Sequence, residues 1–287
     1  MRRFCSLSAV LVITLISSHS TAQSSGSAVS YTNRAMTRYA HGDLDGAIVD
    51  FGIAIAFDPG YAAAFYNRGR ALHDKRELDA AIADYTKAIA LDPRLAQAYN
   101  NRCSARKDNG DLDGALADCD TAIKIKPGFA DAYSNRGTVR HLRADLDGAV
   151  ADFTSAIQIK PLLAEAYYNR AVVRYLKGDF DGAISDYGRS IKINRRYVEA
   201  YCNRGAAKRS KGDMDGAIAD YNAAISVNPG HALAYLNRGL ARMLQGEFDA
   251  ALFDFDQCVK LDNSLEPLLR ENIKASKRRL ESRRAVL

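Results

Sequence analysis

A period of 34 residues constrains the fold of this chain more than any other feature of its sequence. The dipeptide Asn-Arg recurs at this spacing without insertion or deletion. Its seven copies begin at Asn33, Asn67, Asn101, Asn135, Asn169, Asn203 and Asn237. A fixed period of this length is typical of stacked helical units that cannot bury their apolar faces alone. We therefore expect one elongated repeat array.

Each repeat divides into two predicted helices when Ala28 is numbered as repeat position 1. In the first segment, helix A, position 4 is aromatic and position 8 is small in every copy. Position 15 is Gly in five copies, which favours a left-handed residue at the end of a helix, and position 16 is always acidic, as expected of a helix cap. In the second segment, helix B, position 20 is always Ala, position 24 is aromatic in six copies and position 27 is small. Pro at position 32 ends five of the B helices.

From Ala28 to about Asn263, the sizes and shapes of the residues at these positions resemble the pattern of the tetratricopeptide repeat family. The resemblance implies an all-α, right-handed superhelical solenoid of seven helix-turn-helix repeats, which acts by binding other proteins. Two positions depart from the family pattern. Position 7, usually a large apolar residue, is Arg in every copy, and position 11 is basic in six copies.

The chain divides into four predicted parts. Residues 1–22 have Arg2 and Arg3, an apolar run and a small-residue end, so they are predicted to be a secretory signal peptide, with an uncleaved anchor as the alternative. Residues 23–27 form a linker, 28–263 the seven repeats, and 264–287 a capping helix with a basic tail. The style of the repeats resembles that of many proteobacterial proteins, so we expect a periplasmic or secreted protein.

Composition argues against several classes of function. The net charge is +6, and basic and acidic residues alternate through the repeats, so nucleic acid is not an expected partner. No further apolar run has transmembrane length, and no integral membrane segment is expected after signal cleavage. The Gly-Asp-Leu-Asp-Gly segments lack the ligand spacing of a calcium loop and are better explained as helix caps. We expect no metal, no cofactor and no enzymatic activity.

Charged residues at two repeat positions predict a link between the helices. Position 7 is always Arg and position 23 is always Asp, which predicts a ladder of ion pairs joining helix A to helix B. The basic residues at position 11 are expected to extend this ladder. The alternative is an anion-binding groove.

The asparagines of position 6 are the candidate binding residues: Asn33, Asn67, Asn101, Asn135, Asn169, Asn203 and Asn237. The resemblance places helix A on the concave side, where these residues are similar to the asparagine ladder of O-linked N-acetylglucosamine transferase. Because an amide both donates and accepts hydrogen bonds, a column of amides suits the main chain of an extended peptide. The alternative is solvated or internally bonded amides. The carboxylate clamp of chaperone cofactors is excluded, since position 9 lacks Asn and positions 2 and 5 lack Lys.

Two cysteines in the third repeat form a candidate disulfide. Cys103 occupies position 8 and Cys119 replaces the aromatic residue of position 24. These positions lie on facing sides of antiparallel helices, and exported chains fold under oxidising conditions. Two buried thiols are the alternative.

The sequence thus predicts a non-catalytic scaffold that binds a protein or an extended peptide on its concave face. A periplasmic chaperone or assembly factor and a regulatory subunit of an enzyme complex remain as alternatives.

Overall fold

A computed structural model describes residues 27–284, which contain fifteen α-helices and no β-strand. Fourteen helices form seven A–B pairs: α1 (Ala28–Ala40) with α2 (Leu44–Phe57), α3 (Ala62–Asp74) with α4 (Leu78–Leu91), α5 (Ala96–Asp108) with α6 (Leu112–Ile125), α7 (Ala130–Leu142) with α8 (Leu146–Ile159), α9 (Ala164–Leu176) with α10 (Phe180–Ile193), α11 (Val198–Ser210) with α12 (Met214–Val227), and α13 (Ala232–Gln245) with α14 (Phe248–Leu261). A 3-10 turn at Asn263–Leu265 leads into α15 (Glu266–Arg284). The predicted all-α repeat solenoid is confirmed, and the expected signal peptide lies outside the described residues.

A large and a small side chain meet inside almost every repeat. The side chain at position 24 of helix B packs on position 8 of helix A, so closely that a Cβ on Gly205 would lie 2.7 Å from the ring of Tyr221. The alanine of position 20 is fully buried in all seven repeats. These contacts bring the two helices close together, because small residues let the backbones approach.

The turn between helices A and B depends on the residues at positions 15, 16 and 19. The glycine of position 15 has a φ between 78° and 85° in five repeats, as the left-handed conformation requires. The aspartate of position 16 then caps helix B; Asp179, for example, accepts a hydrogen bond from the backbone N–H of Gly182. A Cβ on Gly182 would lie 2.1 Å from the Asp179 carboxylate. Position 19 is accordingly Gly wherever Asp caps, and Ala in the two repeats where Glu77 and Glu247 make no such cap.

The predicted ladder of ion pairs is present in every repeat. The Arg170 guanidinium donates through Nε and Nη2 to both oxygens of Asp186, each at 2.8 Å. Arg174, from position 11, adds a bond of 2.9 Å to the same carboxylate. The equivalent pairs are Arg34–Asp50, Arg68–Asp84, Arg102–Asp118, Arg136–Asp152, Arg204–Asp220 and Arg238–Asp254.

The same arginines also reach the preceding repeat, a contact that the spacing within one repeat does not predict. Nη1 of Arg170 donates to the Thr154 hydroxyl at 2.9 Å, and three other repeats make the equivalent bond to position 25 of the repeat before. Each position 7 guanidinium also lies over the aromatic ring of position 4, at 4.9–5.8 Å from its centroid. One side chain therefore contacts helix A, helix B and the neighbouring repeat.

A second set of contacts crosses every junction between repeats. The residue at position 14 donates to the aspartate at position 18 of the preceding repeat: Lys75–Asp45, Asn109–Asp79, Arg143–Asp113, Lys177–Asp147, Lys211–Asp181 and Gln245–Asp215. Because the pairs are exposed, each contributes little to stability.

Helix α15 covers the last repeat. Leu269 is fully buried and packs with Leu236 and Phe255 of the seventh repeat. An open array requires such a cap, because its last helix pair would otherwise expose an apolar face.

The turn geometry predicts a stabilising substitution. Ala144 occupies position 15 with φ 61°, where a residue with a Cβ is strained. We expect Ala144→Gly to raise the free energy of unfolding by about 0.5–1 kcal/mol, measured from the midpoint of denaturant unfolding. Gly110→Ala, where only open space surrounds the new Cβ, is the matched control and should destabilise. A lower midpoint for Ala144→Gly would contradict this account of the turn.

Candidate functional site: the inner face of the A helices

The A helices line the inner side of the array. Each of the six neighbouring pairs of A helices is in contact, whereas no neighbouring pair of B helices packs to the same extent in the described part of the chain. Since the closer-spaced side of a curved stack is its concave side, the A helices form the inner face, as expected. Repeat positions 6, 9 and 13 lie close together around helix A and share this face.

Several candidate asparagines bond to the neighbouring repeat instead of standing free. The amide nitrogens of Asn101, Asn135 and Asn203 donate across the junction to the Tyr66 hydroxyl (3.2 Å), the Asn100 amide oxygen (2.9 Å) and the Tyr168 hydroxyl (2.9 Å), respectively. Each acceptor occupies position 5 of the preceding repeat. Asn67 instead donates to the Ala63 carbonyl at 2.9 Å. The alternative of internally bonded amides therefore holds for these four asparagines.

The remaining amide groups are available on the inner face. Within residues 27–284, the side chains of Asn33, Asn169 and Asn237 make no hydrogen bond, and the amide oxygens of Asn135 and Asn203 accept none. These groups run along most of the array. They could bind both the N–H and the C=O groups of an extended chain.

Two chemically different pockets open on this face. A polar pocket in the first four repeats is lined by Arg70, Asp74, Asn101, Asn135 and the Tyr85 ring, among others. An apolar pocket in the fifth and sixth repeats is lined by Val172, Tyr175, Leu176, Tyr187, Asn203 and Ala206. Position 13 shows the same change, since it is Asp in repeats two and three but Leu in repeats four, five and seven. The inner face therefore has a polar half and an apolar half.

The described residues contain neither a candidate metal site nor a helix that could span a membrane. Across residues 27–284, no cluster of three or more His, Cys, Asp or Glu side chains has the geometry to hold a metal ion. Over the same range, every helix is too short or too polar to cross a membrane.

Family models match the chain at several of these helix pairs. A tetratricopeptide repeat model matches residues 62–95, a TPR repeat model matches 173–208 and 206–246, and a second tetratricopeptide repeat model matches 232–265. The chain is a tetratricopeptide repeat protein.

Several solved structures share this fold. MamA is 26% identical, with 56% of this chain and 95% of that chain aligned and a TM-score of 0.54. A tetratricopeptide repeat protein from Parabacteroides merdae is 20% identical, over 87% of this chain and 98% of that chain, with a TM-score of 0.64. YrrB, described as a TPR protein with an unusual peptide-binding site, is 23% identical over 64% and 95% of the two chains, with a TM-score of 0.52. No curated protein matches the sequence significantly.

The two cysteines of the third tetratricopeptide repeat lie against each other at the contact between positions 8 and 24. The structure joins Cys103 and Cys119 in a disulfide whose Cα atoms are 5.6 Å apart, within the range that a bridge requires. Cys202 and Cys258 are buried and free, and burial raises the pKa of the Cys202 thiol to about 12. That thiol is therefore unreactive in the folded protein.

Thiol counting tests the bridge. A chain that begins at residue 23 contains four cysteines, so after denaturation without reductant we expect two reactive thiols. Reduction should destabilise the protein by about 3 kcal/mol, because the bridge constrains the unfolded chain.

A double variant, Cys103→Gly with Cys119→Phe, provides the control because it copies the Gly137–Phe153 pair of the fourth repeat. Its stability should not respond to reductant. Four reactive thiols in the unreduced parent protein would refute the bridge.

Proposed function

We propose that this tetratricopeptide repeat protein is a non-catalytic scaffold that binds an extended peptide, or an extended segment of a partner protein, along its inner face. The observation that carries the proposal is the column of available amide groups on the A helices, from Asn33 to Asn237. These groups occupy the same position in the first repeat and in the fourth to seventh repeats.

The chemistry of the column favours an extended partner. An extended strand presents N–H and C=O groups in alternation, and an amide side chain can bind either one whatever side chains the strand carries. The position 7 arginines are paired with the aspartates of their own repeats, so they do not compete for a partner on the inner face. The amides of position 6 are the repeated polar groups that remain there.

The two pockets add selectivity to such binding. The polar pocket around Arg70 and the apolar pocket around Val172 and Leu176 differ in the side chains they can accept. A bound segment would therefore have a preferred direction and register.

We also propose that the protein works outside the cytoplasm. Two features support this location: the predicted signal peptide of residues 1–22 and the pairing of Cys103 with Cys119, which suits an oxidising compartment.

Peptides selected from a random library against the full-length chain provide the test. Asn169 has no internal hydrogen bond, so Asn169→Ala should leave the melting temperature unchanged and weaken peptide binding about fivefold, the effect of one lost hydrogen bond. Changing Asn135, Asn169 and Asn203 together should weaken binding roughly a hundredfold.

Lys192→Ala, on the B helix α10, is the control and should not change the affinity. If the selected peptides bind the asparagine variants as tightly as the parent protein, the binding site is not on the inner face.

A further inference from the structure

Arg70 breaks the repeat pattern on the inner face. It occupies position 9, where the other repeats hold only uncharged residues: Met36, Ser104, Thr138, Val172, Ala206 and Leu240. A charge present in one repeat alone is not required by a fold that all seven repeats share.

The Arg70 guanidinium has no carboxylate partner among the described residues. It makes two long hydrogen bonds, to the Asn67 amide oxygen at 3.4 Å and the Tyr39 hydroxyl at 3.5 Å, and it lies 5.0 Å from the centroid of the Tyr39 ring. Each arginine of position 7, by contrast, is held by two oxygens of an aspartate. Most of the five N–H donors of Arg70 therefore remain available.

Two hydroxyl groups in the same pocket are also without partners. The Tyr85 side chain is fully buried and its hydroxyl makes no hydrogen bond in the described structure, an arrangement that ordinarily costs about 1–3 kcal/mol. Burial raises the pKa of Tyr85, so the group stays a neutral donor. The Ser104 hydroxyl, which lines the pocket, makes no hydrogen bond within residues 27–284 either.

Packing does not explain the Tyr85 hydroxyl. The same position holds phenylalanine in three other repeats, as Phe51, Phe153 and Phe255. The core contact with position 8 thus forms equally well without the hydroxyl.

The acidic groups of the pocket region are already engaged. Asp74 accepts a hydrogen bond from the Tyr39 hydroxyl. Asp108 lies 2.9 Å from both His73 Nε2 and Lys107 Nζ. Apart from the Asn135 amide oxygen and the second oxygen of Asp74, the unpaired polar groups of the pocket are donors. A carboxylate can accept from a guanidinium and two hydroxyls at once.

We propose that the pocket formed by Arg70, Tyr85 and Ser104 receives the side-chain carboxylate of an aspartate or glutamate in the bound segment. This proposal rests on the proposed function, because it places an acidic residue in the same extended peptide. A side chain is favoured over a chain end, since available amides of the column lie on both sides of the pocket, at Asn33 in the first repeat and at Asn169 in the fifth. The bound peptide continues past the pocket in both directions.

Peptides selected from a random library, then synthesised with amidated C-termini, test the proposal. Each is also made with its acidic residues changed to Asn or Gln. Arg70→Met, which copies Met36 of the first repeat, should weaken the acidic peptide roughly tenfold or more and leave the neutral version unchanged. Tyr85→Phe should weaken the acidic peptide about fivefold without loss of stability.

Arg94→Met removes the same charge from an exposed position outside the pocket and is the matched control. Arg94→Met should have the same effect on the affinity for the acidic peptide as on the affinity for the neutral peptide. Equal losses for both peptides in Arg70→Met, or equal effects of Arg70→Met and Arg94→Met, would overturn the carboxylate site.

The result also separates this inference from the function on which it rests. Suppose that Asn169→Ala weakens peptide binding but that Arg70→Met has the same effect on acidic and neutral peptides. That result would support the proposed function and refute the carboxylate site. If no peptide is selected, or none depends on Asn169, both proposals fail.

Discussion

The ion pair between the arginine of position 7 and the aspartate of position 23 holds the two helices of each repeat together, and its burial depends on the repeat before it. The aspartate side chains are at most 8% exposed. The arginine side chain is 53% exposed in the first repeat, which has no preceding repeat, and 11–26% exposed in the other six. Each repeat therefore completes the environment of the next. A charge buried without its partner is costly, so the network couples folding along the array.

This arrangement also determines which groups face a partner. Residues 6 and 7 of a repeat point about 100° apart around helix A. When Arg170 turns toward helix B and the preceding repeat, Asn169 is left on the inner face. Position 9 lies on nearly the same side as position 6, which places Arg70 among the amides. The geometry of helix A thus determines both the ion pair of position 7, which stabilises the fold, and the side chains of positions 6 and 9, which are available for binding.

The sequence predicted contacts that repeat within one unit, because there the 34-residue period acts as a constraint. Arg170 and Asp186 were paired on that basis, the left-handed glycines and capping aspartates were located, and Cys103 was matched with Cys119. Contacts between repeats were missed, including Arg170 with Thr154 and Lys177 with Asp147. They depend on the angle between neighbouring units, which no spacing within a repeat encodes. For the same reason the internal bonds of Asn101, Asn135 and Asn203 could not be predicted, although position 5 supplies their acceptors in the sequence.

Double-mutant cycles on an interior pair and on the terminal pair test this account most directly. Arg170→Leu and Asp186→Leu should each lower the free energy of unfolding by about 3–5 kcal/mol, and the combined variant should recover much of that loss, because it leaves no buried charge. The same changes at Arg34 and Asp50 should show far weaker coupling, since no repeat covers that arginine. Additive losses at Arg170 and Asp186, or equal coupling energies for the two pairs, would contradict the claim that each repeat buries the ion pair of the next.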